Sequence, residues 1–152
     1  MDFDRIDRKL LDLLQIDASR TNAELADLVG LSPSSCLRRI RRLKDSGVID
    51  RVVALLSPAK TGRSLKAVVT VELERHGEAH MRQFLNAASQ EPAVAQAYGV
   101  SGQTDALLML RLINMEEFDA LCERLFKTES NVARYYTMFV IRTAKETTTI
   151  QL

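Results

Sequence analysis

Only three residues, 30–32, separate two short helical patterns in the N-terminal third of the chain. Residues 21–24, Thr-Asn-Ala-Glu, have the form of a capping box, in which each side chain accepts from the other residue's backbone N–H. That box starts the first pattern, and Gly30 ends it. Ser32 can cap the second helix, and Pro33 suits its first position, where no N–H donor is needed. So short a connection predicts a helix-turn-helix, with an earlier amphipathic helix over residues 4–16 packed across both.

The second helix of this pair, residues 32–44, is apolar on one side and basic on the other. Five basic residues fall within residues 38–44, and no acid interrupts them before Asp45. The helix therefore lacks the acid–base pairs at i,i+4 that usually mark a solvated face, and the pattern favours DNA binding. The apolar residues that recur at helical spacing are Cys36, Leu37, Ile40 and Leu43.

A helix-turn-helix inserts the start of its second helix into the major groove, which makes Ser34, Ser35 and Arg38 candidates for base contacts. Arginine can bind guanine O6 and N7 with two parallel hydrogen bonds, and serine can donate or accept. Later arginines and the start of the preceding helix are placed for phosphates. An alternative is that Arg39 or Arg42 pairs internally, with Asp12, Asp45 or Asp50. The predicted DNA-binding residues are Thr21, Asn22, Ser32, Ser34, Ser35, Arg38, Arg39, Arg41 and Arg42.

The overall charge gives no support of its own to a nucleic-acid partner. The net charge is +1, and residues 1–58 hold 10 Lys and Arg against 9 Asp and Glu. Counterion release depends on cations placed at phosphates, so the DNA-binding signal is local to one helix. Aromatic residues make up 5% of the chain and Trp is absent, which argues against a single-strand stacking surface. Double-stranded DNA is therefore the expected partner.

After Gly47 the composition changes from helix formers to strand formers. Residues 48–56 are apolar and β-branched and predict a strand, and residues 57–64 predict a linker. The remainder alternates in the order βαββαβ, which predicts an α+β fold whose second domain is a ferredoxin-like antiparallel sheet with both helices on one face. The predicted domains are 1–56, the linker 57–64, and 65–152. The predicted strands are 67–74, 94–100, 106–113 and 132–143, and the predicted helices are 78–90 and a segment that begins after Asn114.

Catalytic and metal-binding patterns do not stand out in the sequence. Cys36 and Cys122 fall on apolar helix faces, as reduced core residues do, and His76 and His80 lie near a predicted exposed turn. We therefore expect no enzyme activity, cofactor or metal. No apolar run reaches about 18 residues and no signal-peptide pattern begins the chain, so we expect a cytoplasmic protein without a membrane partner.

The motifs taken together resemble the Lrp/AsnC family of leucine-responsive and asparagine-responsive transcription regulators, also called the feast/famine family. The matching segments are 4–11, 31–33, 36–43, 47–49 and 100–105, in the family's order and spacing along the whole chain. The resemblance implies a winged helix-turn-helix joined to a regulatory domain that binds an amino-acid effector and forms oligomers. It further implies homodimers that often assemble into octamers, with the effector bound at contacts between dimers.

The same resemblance implies an effector site at the loop between the second and third strands of the regulatory domain. Many members have Gly-Asp-x-Asp there, whereas this chain has Gln103 after the glycine and retains Asp105, the acid expected to face the effector. An ammonium group needs an acid or carbonyls, and a carboxylate needs N–H donors, which a glycine-containing turn can offer. From spacing alone, Gly102 can equally make a plain hairpin turn that Asp105 caps. The predicted effector-binding residues are Ser101, Gly102, Gln103, Thr104, Asp105, Met138 and Val140.

The predicted function is sequence-specific transcription regulation in which effector binding shifts the population of assemblies or their affinity for DNA. Two alternatives remain open from the sequence. The haem-pathway decarboxylases also resemble this family and use the same two-domain body for catalysis. A sensor or assembly module that has lost DNA binding is the other.

Overall fold

The computed structural model describes residues 3–127 and 130–152. Its internal contacts divide the chain into two compact units. One unit is the chain up to Leu55 together with Ala144–Leu152, and the other is Leu56–Thr143. Residues 144–152, which the sequence groups with the regulatory domain, thus make their contacts with the N-terminal helices.

Three helices build the first unit: α1 (Arg5–Ile16), α2 (Asn22–Val29) and α3 (Pro33–Asp45). The predicted capping box of α2 is confirmed, because Thr21 N donates to the Glu24 carboxylate at 2.7 Å and Glu24 N donates back to Thr21 Oγ1 at 3.3 Å. Gly30 ends α2 at φ 71°, a left-handed conformation that glycine adopts without strain. Ser32 caps α3 and Pro33 occupies its first turn, so the predicted helix-turn-helix is confirmed.

A small apolar core joins these three helices. Burial of apolar side chains is the main force that holds them, since each helix is too short to be stable alone in water. The Lys9 ammonium also donates to the Leu28 carbonyl, which ties α1 to the end of α2. The buried residues of this core are Leu10, Leu25, Ala26, Cys36 and Ile40.

The C-terminal segment is held to α1 by a paired hydrogen bond. The Gln15 side-chain amide donates to the Ile150 carbonyl at 3.1 Å and accepts from Ile150 N at 2.6 Å, as a neighbouring strand would. Leu152 lies in a shallow groove with Phe3 and Arg5. These contacts fasten residues 144–152 to the N-terminal unit.

The strand predicted over residues 48–56 is not formed, so that prediction is wrong. These residues are all described and have no regular structure, so they do not form the strand of the wing that the resemblance implies. Val52, Val53, Leu55 and Leu56 are exposed by 58% to 75%. β-branched residues favour a strand only where a neighbouring strand can pair with the backbone, and no segment within residues 3–127 and 130–152 pairs with this one.

The second unit contains β1 (Leu65–Leu73), α4 (Glu78–Ser89), β2 (Val94–Gly99), β3 (Ala106–Leu112), α5 (Met115–Leu125) and β4 (Val132–Phe139). The strands form one antiparallel sheet in the order β2-β3-β1-β4, with Val69 opposite Leu108 and Ala67 opposite Phe139. The predicted βαββαβ fold is confirmed. The last strand is shorter than the predicted 132–143, because β1 leaves only one more pairing position, where Val140 N donates to Lys66 O at 2.9 Å.

One face of the sheet forms the core of this unit. Alternate residues of β1 and β3 are fully buried, and they share one cluster with Phe84 of α4 and Leu121 of α5. Both helices therefore cover the same face. The opposite face carries Tyr98, Tyr136 and Met138, which are 47%, 54% and 53% exposed.

Candidate DNA-binding helix and effector loop

The surface of α3 that points away from the core is the candidate DNA-binding face. Cys36, Ile40 and Leu43 are buried, which fixes the rotation of the helix about its axis. Ser34, Arg38 and Arg41 consequently point to solvent, and they line a shallow groove with Leu37, Arg42, Asp45 and Ser46. Among the described residues, neither Arg38 nor Arg41 has an ion-pair partner, so both guanidinium groups are available to a polyanion.

Leu37 belongs to this outer face, although the sequence pattern assigned it to the apolar side. It is 38% exposed and lines the groove beside Arg38. Helical spacing from Ser34 at i, i+3, i+4 and i+7 gives Leu37, Arg38 and Arg41, and this pattern is the signal that could have identified it. An apolar side chain at this place is suited to contact a thymine methyl group.

The predicted residues at the helix starts are engaged in capping. Ser32 Oγ accepts from Ser35 N at 3.3 Å and donates to Ser35 Oγ at 3.0 Å. Asn22 Nδ2 donates to the Pro33 carbonyl at 2.8 Å, which links the start of α2 to the start of α3. Thr21 is the cap of α2. These four side chains build the turn. The exposed Ser34 hydroxyl lies on the outer face, 3.2 Å from Ser32 Oγ.

Arg39 and Arg42 face the first turn of α1, and their acid partners differ from those expected. Arg39 Nη1 lies 2.6 Å from Asp4 Oδ2 and 2.9 Å from Asp7 Oδ1, and Arg42 Nη2 lies 2.6 Å from Asp7 Oδ2. The expectation of Asp12, Asp45 or Asp50 as partners is wrong, because the packing of α1 brings its N-terminus to α3. Bonds to Asp4 and then Asp7 raise the pKa of Arg39. The pKa of Asp4 is lowered, first by the Asp7 backbone N–H and then by Arg39.

The effector loop, residues 100–105, is attached to the end of β1. Asp105 Oδ2 accepts from Leu73 N at 2.8 Å, and Thr104 Oγ1 donates to the Val71 carbonyl at 2.7 Å. The other carboxylate oxygen, Asp105 Oδ1, faces His76 Nδ1 at 3.5 Å, and the side chain is 27% exposed. Asp105 Oδ1 thus faces the exposed His76 imidazole, on the side from which a cationic group can approach. Gly102 has φ 137°, which a residue with a side chain rarely adopts.

The other loop residues, Ser101 and Gln103, are exposed, as is the Gly102 backbone. His76 is a neighbour of Asp105 that the sequence argument missed, although its side chain is 73% exposed as expected. The signal for it was topological: the turn after β1 and the loop before β3 lie at the same end of the sheet, because the two strands are antiparallel.

Met138 and Val140 do not lie beside this loop within one chain. Met138 pairs with Val68 on the outward face of the sheet, and Val140 N donates to Lys66 O. Lys66 and Val71 are five positions apart on β1, which corresponds to about 17 Å along the strand. The predicted effector set is therefore split between the two ends of the sheet.

The described residues, 3–127 and 130–152, also bear on metal binding and on membrane insertion. No group of three or more His, Cys, Asp or Glu residues there is arranged to hold a metal ion. Within the same residues, no helix combines the length and apolar character needed to span a bilayer. Cys36 and Cys122 are free, and burial raises the pKa of both thiols.

Known protein families match both the helix-turn-helix unit and the unit that contains the sheet. The AsnC-type helix-turn-helix domain matches residues 3–44, and the Lrp/AsnC ligand binding domain matches residues 66–150. The leucine-responsive regulatory protein of Rhizobium meliloti is 38% identical over 153 residues, which cover 100% of this chain and 97% of that protein.

Two solved structures have the same fold over nearly their whole length. An AsnC family transcriptional regulator from Agrobacterium tumefaciens has a TM-score of 0.91 and 33% identity, covering 97% of this chain and 96% of that one. A transcriptional regulator from Neisseria meningitidis, solved as a complex with L-Met, has a TM-score of 0.91 and 32% identity, covering 98% and 96%. These relatives are transcriptional regulators. With both family domains matched in order, this chain belongs to the Lrp/AsnC family of transcriptional regulators.

Proposed function

We propose that this protein binds specific duplex DNA through the outer face of α3 and that a free amino acid bound at residues 100–105 regulates this binding. The observation that supports DNA binding is that Arg38 and Arg41 project from α3 with no acid partner among the described residues. Ser34, Leu37 and Arg38 read base edges in the major groove, and Arg41 binds a phosphate. The four capping residues, Thr21, Asn22, Ser32 and Ser35, hold this surface in place, and the Ser32 and Ser35 hydroxyls lie at its edge.

The proposed effector binding rests on Asp105 Oδ1, the carboxylate oxygen that faces the exposed His76 side chain. An amino-acid ammonium binds Asp105 Oδ1, and backbone N–H groups near Gly102 receive the carboxylate. Ser101, Gln103 and Thr104 complete the loop. The relative from Neisseria meningitidis that was solved with L-Met makes an amino acid the natural ligand class. Met138 and Val140 join such a site only from a second copy of the chain, since within one chain they lie at the other end of the sheet.

We propose a homodimer that assembles further, as far as an octamer. The outward face of the sheet, with Tyr98, Tyr136 and Met138 exposed, is the surface that we propose for contact with a second copy. We place the protein's action in the cytoplasm, where its DNA partner lies. We further propose a non-enzymatic role, since the relatives are regulators and no observation favours the decarboxylase alternative.

Selection of duplexes from a randomised library tests the DNA half. The full chain should enrich one motif, and fluorescence anisotropy should give tighter binding to that duplex than to its scrambled sequence. Calorimetry against the twenty amino acids tests the effector half, and the amino acid that binds should change either the anisotropy curve or the sedimentation coefficient. Failure to enrich any motif contradicts DNA reading, and a Soret band in the purified protein would support the decarboxylase instead.

A further inference from the structure

Asp7 of α1 is the one charged or polar residue of the described chain that is fully buried. It is 1% exposed, and both oxygens of its carboxylate are bound by arginines of α3. With Asp4 it also forms the capping box of α1, in which Asp7 Oδ2 accepts from Asp4 N at 3.4 Å and Asp7 N donates to Asp4 Oδ1 at 2.8 Å. Capping needs one acceptor oxygen of Asp7 and does not explain the two guanidinium partners. Burial of a carboxylate is energetically costly unless the charge is paired. The two arginines of the candidate DNA-binding helix provide that pairing for Asp7.

This carboxylate sorts the four arginines of α3 into two pairs. Positions three apart lie on the same side of a helix, so Arg38 and Arg41 share one side, and Arg39 and Arg42 share a side about 100° away. Arg39 and Arg42 bind Asp7, while Arg38 and Arg41 have no acid partner in the described part of the chain. Two of the four cations are thus paired with the acids of α1 and its cap, Asp7 and Asp4.

Arg42 shows what that pairing prevents. It is 52% exposed and lines the same groove as Arg38 and Arg41, yet its Nη2 is held 2.6 Å from Asp7. Without Asp7 its guanidinium would be free at the surface that faces DNA. Each phosphate contact adds about 0.9 to the salt dependence of binding and adds affinity for any sequence.

We infer that Asp7 is a specificity-determining residue: it holds Arg39 and Arg42 against α1 and so keeps two cations of α3 from binding phosphates on any DNA. The inference rests on the proposed DNA-binding function. On this inference, the outer face of α3 binds DNA of any sequence only weakly, and the residue that keeps this affinity low, Asp7, does not itself contact DNA. Asp4 assists, because it is the second partner of Arg39.

The test measures anisotropy of the full chain on its selected duplex and on the scrambled duplex between about 50 and 200 mM salt. For the scrambled duplex, Asp7→Asn should steepen the slope of log K against log[salt] by about 0.9 to 1.8, because one or two arginines reach phosphates. The ratio of selected to scrambled affinity should fall several-fold. Asp12→Asn is the matched control, since it removes the same charge from an exposed position of the same helix and should leave the ratio as in the wild type.

A merely structural role for Asp7 would lower thermal stability and leave the slope and the ratio unchanged, and that result overturns the inference. If Asp7→Asn does not fold, Arg42→Gln decides, because Arg42 is 52% exposed and Asp7 already keeps it from phosphates. Arg42→Gln should leave the slope for the scrambled duplex as in the wild type, whereas Arg41→Gln should reduce it by about 0.9, and an equal reduction in both variants refutes the idea. If Asp7→Asn keeps the wild-type ratio of selected to scrambled affinity, this inference is refuted and the proposed function stands. If the wild type selects no motif, the proposed function is refuted as well.

Discussion

Asp105 has two separable tasks, and two substitutions at this residue distinguish them. One oxygen accepts from Leu73 N at 2.8 Å, and the other, which faces His76 Nδ1 at 3.5 Å, is the oxygen proposed to bind the effector's ammonium. Asp105→Asn keeps an oxygen that can accept from Leu73 N but removes the negative charge. Asp105→Ala removes both. The pair therefore separates anchoring of the loop from recognition of the effector.

The expected magnitudes follow from the two bonds. A hydrogen bond to a charged group contributes about 1.5–3 kcal/mol and a neutral one about 0.5–1.5 kcal/mol, so Asp105→Asn should lower the free energy of unfolding by about 1 kcal/mol. Asp105→Ala leaves the Leu73 N–H without its acceptor, at a cost of about 1–3 kcal/mol. Loss of a charge-assisted bond to ammonium, about 1.5–3 kcal/mol, should weaken effector binding roughly 10- to 150-fold in both variants.

Urea unfolding measures the stability of each variant, and calorimetry measures the Kd for the amino acid that binds the wild type. Glu123→Gln is the control, because it removes an exposed carboxylate elsewhere on the same unit and should change neither quantity. Wild-type affinity in Asp105→Asn would show that the ammonium does not bind this residue. Equal stability of the alanine and asparagine variants would contradict the anchoring role.

Three further predictions concern the DNA-binding helix, the core and a helix cap. Arg38→Ala should relax the preference at one base position and cost about 1–3 kcal/mol of binding free energy, whereas Arg41→Ala should weaken binding to all duplexes alike. Binding to single-base variants of the selected duplex measures both effects, and a uniform loss of affinity in Arg38→Ala contradicts base reading. Leu108→Ala, at a fully buried site of β3, should lower the urea-derived free energy of unfolding by about 2–5 kcal/mol. Hydrogen bonds from the backbone N–H and then the hydroxyl of Thr21 hold the pKa of Glu24 below its ordinary 4.5. This carboxylate therefore stabilises the fold above that pH, and its contribution is lost as the pH falls through the lowered pKa. Glu24→Gln should make Tm fall less steeply as the pH is lowered.

The features that were predictable from the sequence are those determined by near neighbours in the chain. Thr21 with Glu24, and Ser32 with Pro33, form their caps within a few residues, so the composition alone locates the starts of α2 and α3. The alternation in β3 likewise needs only the residues of that strand and a buried face.

The features that were missed depend on contacts between distant parts of the chain. The arginine partners lie 32 to 35 residues away, and only the packing of α1 on α3 selects Asp7 over nearer acids. Residues 48–56 have strand composition but no pairing partner in the part of the chain that the structure describes. The split between Asp105 and Met138 follows from strand register, which local sequence does not encode.

The Gln15–Ile150 contact makes the DNA-binding unit discontinuous in sequence, so that the regulatory sheet is inserted into it. The polypeptide crosses between the units twice, near Leu55 and again near Thr143. A protease that cuts only near Leu55 leaves the two parts joined through the second crossing. Release of a separate helical fragment requires a second cut between β4 and Ile150, and a helical fragment that ends near Leu55 lacks the segment that is hydrogen-bonded to Gln15 of α1.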